Sequence, residues 1–406
     1  MNAVTPVFTI PKEQFPSRRF FSLFRQPVNT RLAGAPPALW FFWARNAIFY
    51  ALRALGISPG AHVLLPAYLC RAAVEPFEVF GTDVEFYPIN RDCQPHLDGL
   101  EARITMRTEA ILVVHYFGFP QQIDKLRALC DRRRLCLIED CAHVLQGSFD
   151  GRPLGTFGDA SVFSWRKFLP IYDGGELWLR KPFQGSPPAW QKESLPFTLK
   201  VAKSLADKTL ENSSGIPAKC FSWALESVKT AAKRLRGKPG DASLFELDSN
   251  RATFDDSLVN QKMSRVSRWL KMHSDIPAIV AKRRENFQFL SVHLRGLSGV
   301  TLLHAELPDS VCPWIFPIFL NDVQCAHLRL QEQGIPAVNW GGVRPPTVDA
   351  LVFPDADFLY DNLIFLPVHQ DLTPGNLDAI VRGVQKVAVA AALPLEPRVS
   401  RFSSIA

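Results

Sequence analysis

EAILVVHYFG (residues 109–118) and RLCLIED (134–140) are two short apolar runs, and the amphipathic stretch LRALCDRRR (126–134) leads from one to the other. Nearly continuous runs of Val, Ile and Leu are typical of strands that are buried on both faces of a sheet. Parallel strands need a long crossover between them, which is usually a helix. Residues 109–140 therefore predict a strand, a helix and a second strand parallel to the first.

The same alternation continues in both directions along the chain. Upstream, AHVLLPAY (61–68) and DVEFYPI (83–89) have strand character. Downstream, DASVFS (159–164) and ELWLR (176–180) lie so close together that at least one connection cannot be a helical crossover. We expect an α/β fold with a mainly parallel, mixed sheet flanked by helices.

The chain has 406 residues, enough for about two or three domains. Residues 1–36 predict an irregular lead-in, and a helix pattern from Ala38 to Leu55 follows it. We expect a large domain over residues 37–260, with a polar helical and loop insertion at about 183–260, and a smaller C-terminal α/β domain over 261–406. The predicted elements of the smaller domain are strands within 311–320 and 362–367 and helices at 276–294, 323–333 and 374–391.

Composition narrows the class of protein. Hydrophobic residues make up 47% and charged residues 21% of the chain, which excludes a disordered, collagen-like or coiled-coil chain. The net charge of +7 suits a phosphate-bearing ligand, but it also fits nucleic acid or a solvated surface; no nucleic-acid-binding motif accompanies it. The eight cysteines show no zinc-site spacing, and no apolar stretch approaches about 18 residues. We expect a soluble, cytoplasmic protein without a metal, a membrane span or a nucleic-acid partner.

Polar residues follow the predicted strands at the points where they end. The run LCLIEDCAH ends in Glu139, Asp140 and His143, while His115 follows the preceding strand and Ser164 and Lys167 follow ASVFS. In open parallel sheets, ligands bind beyond the carboxyl ends of the strands, so these side chains predict one site. Each also has an ordinary alternative, because a strand-end Asp often caps a helix and a lone Ser or Lys is usually solvated.

Lys167 indicates a specific chemistry. An amine whose pKa is lowered by burial and by a neighbouring cation, here Arg166, can attack a carbonyl. Pyridoxal 5'-phosphate (PLP) uses such a lysine, together with an acid facing its pyridine nitrogen and a phosphate site. The helix that begins in WARNAIFYAL (43–52) could hold the phosphate with its free N–H groups, although it could equally be an ordinary surface helix.

Four segments carry a family resemblance: EDCAH (139–143), GRPLGTFGD (151–159), SWRKFLPIYDGG (164–175) and LPVHQDLT (366–373). Together they resemble the motifs of the DegT/StrS-type PLP-dependent sugar aminotransferases, which have the aspartate-aminotransferase fold (fold type I). The resemblance extends from about residue 39 to the C-terminus and is strongest over 109–180.

The resemblance implies a role for each matching residue. Lys167 would bind PLP covalently and move the proton of the reaction, and Asp140 would keep the pyridine nitrogen protonated. His143 would hydrogen-bond the phenolic oxygen of the cofactor. Ser164 and the amides near Arg45 and Asn46 would hold the phosphate. Tyr68 or Cys70 would stack on the ring, and we favour Tyr68 because its flat ring can stack.

Three features depart from the family pattern. The spacing from Ser164 to Lys167 is shorter than in many members, and Arg45-Asn46 replaces the usual glycine-threonine at the phosphate helix. An asparagine-arginine segment of the neighbouring subunit reaches the site in this family, and Asn250-Arg251 is a possible match. The resemblance thus implies a homodimer with active sites at the interface.

The expected function is transfer of an amino group, with glutamate as the expected donor, to a keto group of a nucleotide-linked sugar, as in polysaccharide biosynthesis. Two alternatives remain open at this point. The chain could be a PLP enzyme of another reaction type, although the family's dehydratases carry histidine where this chain has Lys167. It could also be a degenerate member that binds or regulates without catalysis.

Overall fold

The structure is a computed structural model that describes residues 10, 11, 14, 38–183, 186–212, 254–321 and 323–392. Most of the predicted lead-in (1–36) lies outside the described residues. So do residues 213–253 of the predicted insertion, which include Asn250-Arg251. The predicted domain boundaries remain predictions.

The larger sheet brings together strands from residue 38 to residue 179. Its strands are β1 (Ala38–Phe41), β2 (His62–Pro66), β3 (Asp83–Tyr87), β4 (Thr108–Val114), β5 (Cys136–Cys141), β8 (Ala160–Ser164) and β9 (Gly175–Leu179); β6 (Ser148–Phe149) and β7 (Arg152–Pro153) form a separate small hairpin. The spatial order is β1-β9-β8-β5-β4-β2-β3. Neighbours from β3 to β8 are parallel, whereas β9 is antiparallel to β8 and to β1. The predicted mainly parallel sheet, with one connection that is not a helical crossover, is confirmed.

The predicted helix start at Ala38 is wrong. Ala38–Phe41 is an edge strand whose residues pair with Gly175–Trp178 of β9, and the helix begins only at Ala44. The side chain of Asn46 accepts a hydrogen bond from the N–H of Trp43, which caps the start of this helix. Pairing with a strand that lies far along the sequence has overridden the local pattern.

Helices connect and cover the strands. Their bounds are α1 (Ala44–Ala54), α2 (Arg71–Phe80), α3 (Leu97–Glu101), α4 (Ile123–Arg133), α5 (Leu195–Asn212), α6 (Arg265–Met272), α7 (Ile276–Leu294), α8 (Ala326–Glu332), α9 (Pro354–Asn362) and α10 (Pro374–Ala392). Capping side chains and a glycine set the ends of several helices. For example, Asp275 accepts from the N–H of Ala278 to cap α7, and α2 ends at Gly81 in the left-handed region with φ 87°. None of the helices in the described ranges is long and apolar enough to cross a membrane.

A smaller antiparallel sheet follows, with the order β10 (Val300–Leu302), β11 (Ile315–Leu320) and β12 (Ile364–Pro367). The sequence predicts strand character from residue 311, yet β11 begins at Ile315. The reason is that the preceding segment bonds to loops of the larger sheet instead. The N–H of Cys312 donates to the carbonyl of Gln146 (2.9 Å), and that of Trp314 donates to the carbonyl of Phe117 (2.9 Å).

The contacts of Asp173, Gly174 and Gly175, which form the turn that leads into β9, explain why an acid and two glycines stand there. Gly174 has φ +127°, a conformation that L residues rarely adopt, and a Cβ on Gly175 would lie 2.3 Å from the carbonyl oxygen of Trp43. Asp173 is buried and accepts hydrogen bonds from the N–H (2.9 Å) and the hydroxyl (3.1 Å) of Ser264, the residue that caps α6. The turn therefore joins β9 to the start of α1 and to α6.

We expect Gly175→Ala to destabilise the protein by about 1–3 kcal/mol, because the new methyl group must displace the backbone at Trp43 and Ala44. The control is Gly342→Ala, where an added Cβ meets nothing within 4 Å. Urea unfolding followed by tryptophan fluorescence measures both variants. Equal midpoints for the two would contradict the close contact at Gly175.

Candidate active site

The candidate site lies at the carboxyl ends of β4, β5 and β8. Asp140 pairs in register with Val114 of β4 and Val162 of β8, and its carbonyl accepts from the N–H of His115 (3.1 Å). Because these strands are parallel, the residues that end them meet at one edge of the sheet. The structure thus brings Asp140, His143, Ser164 and Lys167 to the same edge.

Lys167 ends a short 3₁₀ turn, Trp165–Lys167, that directly follows β8. The turn is closed by the carbonyl of Trp165, which accepts from the N–H groups of Phe168 (3.0 Å) and Leu169 (2.9 Å). Burial lowers the pKa of the Lys167 amine, Cys70 and Asp140 oppose this, and Arg166 adds to it. The short spacing from Ser164 is therefore compatible with an amine that lies among the other site residues.

Asp140 is a buried carboxyl group with one backbone donor in contact. Its Oδ1 accepts from the N–H of Ala142 (2.8 Å). Burial raises the pKa of Asp140, while the charge of Lys167, the Ala142 N–H and His115 each act to lower it. A cationic partner in the site would therefore stabilise the ionised form of this carboxyl group.

His143 is buried between aromatic rings and has a defined tautomer. Its ring stacks on Trp314 with a centroid distance of 4.1 Å, and its Nδ1 accepts from the N–H of Phe117 (3.3 Å). Burial and the charge of Lys167 lower the pKa of His143 well below its ordinary value. The neutral ring then carries its proton on Nε2, which makes that atom a hydrogen-bond donor.

The start of α1 lies beside this edge of the sheet. Gly175, which touches Trp43 and Ala44, pairs in register with the buried Ser164. The first N–H groups of a helix generally have no partner within the helix, so the start of α1 can offer donors to an anion, although the Asn46 N–H already donates to the carbonyl of Trp43 (3.1 Å). The side chains of Arg45 and Asn46 are engaged elsewhere. Arg45 Nη1 lies 3.5 Å from Glu75 Oε2, and Asn46 Oδ1 accepts from the N–H of Trp43.

Tyr68 and Cys70 differ in what they face. Tyr68 is fully buried, with its ring 4.9 Å from the rings of both Trp340 and Tyr360. Cys70, at the start of α2, interacts electrostatically with Lys167 and Asp140, and burial raises the pKa of its thiol. Cys70 therefore lies near the charges of Lys167 and Asp140, whereas Tyr68 packs in an aromatic cluster, and the prediction that Tyr68 stacks on the cofactor ring stays a prediction.

Hydrogen bonds from neighbouring groups hold the carboxylate of Glu139 in place. Its carboxylate accepts from His115 Nε2 (3.0 Å) and from the N–H groups of Gly155 (2.8 Å) and Gly158. Together with Cys141, it belongs to a buried group of side chains whose potential metal-ligating atoms lie within 4.8 Å of one another. The donors around Glu139 account for its position without an ion, and they anchor the glycine-rich linker to β5.

Trp314 is a site residue that sequence reasoning missed. It comes from the segment before β11, and Lys167 Nζ lies 4.6 Å from the centroid of its ring. Phe117, whose carbonyl accepts from the Trp314 N–H, has a left-handed backbone with φ 59°. The carbonyl of Cys312 lies 2.5 Å from where a Cβ on Gly118 would stand, so glycine permits this close approach. No local sequence pattern signals this contact, because it depends on hydrogen bonds between segments that lie far apart along the chain.

A model of a known protein family matches part of the chain. Residues 32–182 match the model of the DegT/DnrJ/EryC1/StrS aminotransferase family. The predicted family resemblance is confirmed for this segment. The DegT-type segment contains Asp140, His143, Ser164 and Lys167.

Curated relatives of the DegT-type segment include two that act on nucleotide sugars by name. A UDP-N-acetyl-3-dehydro-alpha-D-glucosamine 3-aminotransferase from Acidithiobacillus ferrooxidans is 36% identical over 121 residues, which is 30% of this chain and 33% of that protein. A GDP-perosamine synthase from Vibrio cholerae is 36% identical over 132 residues, 32% of this chain and 36% of that protein. Each match spans about a third of the relative's length.

Solved structures extend the likeness to nearly the whole chain. Helicobacter pylori PseC, an aminotransferase involved in the biosynthesis of pseudoaminic acid, has a TM-score of 0.66 at 18% identity and covers 95% of this chain and 100% of its own. The PLP form of a putative sugar aminotransferase from Streptococcus pneumoniae has a TM-score of 0.62 at 18% identity, covering 96% and 94%. The chain therefore has the predicted fold.

We expect acid to destabilise the protein in part through His143. Below pH 6.5 the unfolded chain binds a proton at this ring that the folded chain does not, because the folded pKa lies well below 6.5. Between pH 6.5 and 5.5, His143→Gln should therefore lose about 1 kcal/mol less unfolding free energy than the parent protein. Urea unfolding at both pH values tests this, with exposed His293→Gln as the control; an unchanged pH dependence in His143→Gln would contradict it.

Proposed function

We propose that this protein is a PLP-dependent aminotransferase that moves an amino group, with glutamate as the proposed donor, to a keto group of a nucleotide-linked sugar. The observation that carries the proposal is the meeting of Lys167, Asp140 and His143 at one sheet edge, beside the start of α1. The substrate class is supported by the names of the relatives of the DegT-type segment and by the net charge of +7.

The residues at this edge fit PLP. The close approach of Gly175 to Trp43 leaves the α1 start beside Ser164, where N–H groups and a hydroxyl can hold a phosphate. Asp140 offers a carboxylate for a protonated pyridine nitrogen, and His143 Nε2 offers a donor for the phenolic oxygen. Either Tyr68 or Cys70 would lie against the ring, and Arg45 would contribute through its backbone amide, because the Asn46 N–H donates to the carbonyl of Trp43 (3.1 Å).

When bound, PLP supplies an aldehyde that joins to amines and a ring that accepts electrons. The protein's own contribution begins with Lys167. Because burial lowers the pKa of its amine, a larger fraction is unprotonated near neutral pH and can accept a proton from the substrate carbon and return it. The charge of Lys167 acts to lower the pKa of Asp140, and His143 remains neutral and keeps donating from Nε2.

We also propose that the protein acts as a homodimer in the cytoplasm, in a pathway of polysaccharide biosynthesis. The family resemblance supports this, since the active sites of such enzymes lie at a subunit interface. A partner subunit could then supply the side chains that recognise the sugar nucleotide.

Replacing Lys167 tests the proposal directly. We expect Lys167→Ala to lower the rate of 2-oxoglutarate formation from glutamate by at least about a hundredfold, because the group that moves the proton is lost. The matched control is Lys125→Ala, an exposed lysine that bonds to Gln122 at the surface. Product formation with a panel of keto-sugar nucleotides, and covalent PLP trapped on Lys167 by borohydride, are the measurements.

The possible outcomes separate the alternatives. PLP bound to Lys167 without amino transfer would favour another PLP reaction. A purified chain that takes up no PLP would favour a degenerate binding protein. Unchanged turnover in Lys167→Ala would overturn the assignment of the lysine.

A further inference from the structure

Glu176 and Lys271 form a buried ion pair that the proposed chemistry does not use. Glu176 follows Gly175 in β9, and Lys271 lies in the last turn of α6. Lys271 Nζ is 3.9 Å from Glu176 Oε2, and the two side chains are 5% and 3% exposed. Burial lowers the pKa of Lys271 to about 8, and Glu176 opposes this shift.

The pair is surrounded by indole rings. Glu176 accepts hydrogen bonds from Trp165 Nε1 on one carboxylate oxygen and from Trp178 Nε1 (2.8 Å) on the other. Lys271 Nζ lies 4.0 Å from the centroid of the Trp165 ring and 4.4 Å from that of Trp40. The Trp165 ring is thus held at its edge by a carboxylate and over its face by an ammonium group.

Stability alone does not explain such a pair. The cost of removing two charges from water often exceeds their attraction, and apolar replacements of similar size are often neutral or stabilising. What the pair does provide is a defined orientation for Trp165.

Trp165 is the residue from which the lysine turn is built. Its N–H donates to the carbonyl of Gly174 (2.9 Å), and its own carbonyl closes the turn by accepting from Phe168 and Leu169. Lys167 is two residues further along the same turn. A displacement of the Trp165 backbone would therefore move the turn that carries Lys167.

We propose that Glu176 and Lys271 are positioning residues for Lys167, which they orient by holding the Trp165 indole on the far side of the turn. This inference rests on the proposed function, in which Lys167 is the reactive amine. Only two residues separate Ser164 from Lys167, so the turn itself has few residues that could orient the lysine. Support from the Trp165 indole would supply that orientation.

The same cluster links the lysine to the anion end of the site. Glu176 is adjacent to Gly175, which contacts the start of α1, and α6 is also held by Asp173 through Ser264. A shift of Lys271 or Glu176 would therefore change the position of the amine relative to the helix start.

The test compares two variants that each remove one indole N–H from the same carboxylate. Trp165→Phe loses the bond next to the lysine turn, and Trp178→Phe loses the bond within β9. Acetylation of the full chain, freed of bound cofactor, with trace acetic anhydride across a pH series gives the rate and pKa of each lysine by mass spectrometry. We expect the acetylation rate of Lys167 to be roughly tenfold lower in Trp165→Phe. A hydrogen bond to a charged group favours one side-chain arrangement over the others by about that factor. Trp178→Phe should stay close to the parent rate.

A second variant separates positioning from stability. Glu176→Gln with Lys271→Met removes both charges together but leaves an amide oxygen that can accept from one indole N–H, so the unfolding midpoint should stay near that of the parent protein. We expect Lys167 acetylation to fall in this folded double variant, while that of exposed Lys125 stays unchanged. Parent-like Lys167 rates in both Trp165→Phe and the double variant would overturn the inference, as would equal losses in Trp165→Phe and Trp178→Phe.

The proposed function is judged separately. Borohydride trapping shows whether PLP joins to Lys167 in the parent chain. If it does not, the proposed function fails, yet the acetylation rates still decide whether Glu176 and Lys271 position the lysine.

Discussion

The close contact between Gly175 and the backbone at Trp43 is the constraint on which the site depends. No side chain fits between these two segments, so β9 and the start of α1 are held at a fixed separation. Because β9 pairs with β8, the contact also places Ser164 and the lysine turn beside the helix start. Gly174 and Asp173 complete the joint, one by its positive φ and the other by capping α6 through Ser264. The Asp-Gly-Gly motif is thus a backbone requirement as much as a family signature.

The site places ionisable groups where water has little access. Burial lowers the pKa of Lys167 and raises the pKa of Asp140, so that it favours the neutral form of each group. The attraction between their charges works against both shifts. Burial lowers the pKa of His143 well below its ordinary value, and the positive charge of Lys167 lowers it further. The charge states of Asp140 and His143 therefore both depend on that of Lys167, and a bound ion that changed the protonation of the amine would affect both.

Sequence reasoning was strongest where the information is local. The strand ends that carry Asp140 and Lys167 follow from apolar runs and from the polar residues after them. Reasoning failed where a distant segment decides the outcome. Ala38–Phe41 is a strand because β9 offers it a partner, and Trp314 enters the site because Cys312 and Trp314 bond to loops after β4 and β5. The choice between Tyr68 and Cys70 depends on which side of a loop faces Lys167, and spacing alone does not determine that.

The position of Trp314 along the chain has a consequence for biosynthesis. All the strands of the larger sheet lie within residues 38–179, so this sheet can form on the ribosome before Trp314 emerges. At that stage the face of His143 that later stacks on Trp314 is uncovered, and α6 is also still missing. The nascent chain thus contains the lysine and the acid before their aromatic cover and the brace that we propose for the lysine exist. The proposed chemistry would then have to wait until α6 and the second sheet are made.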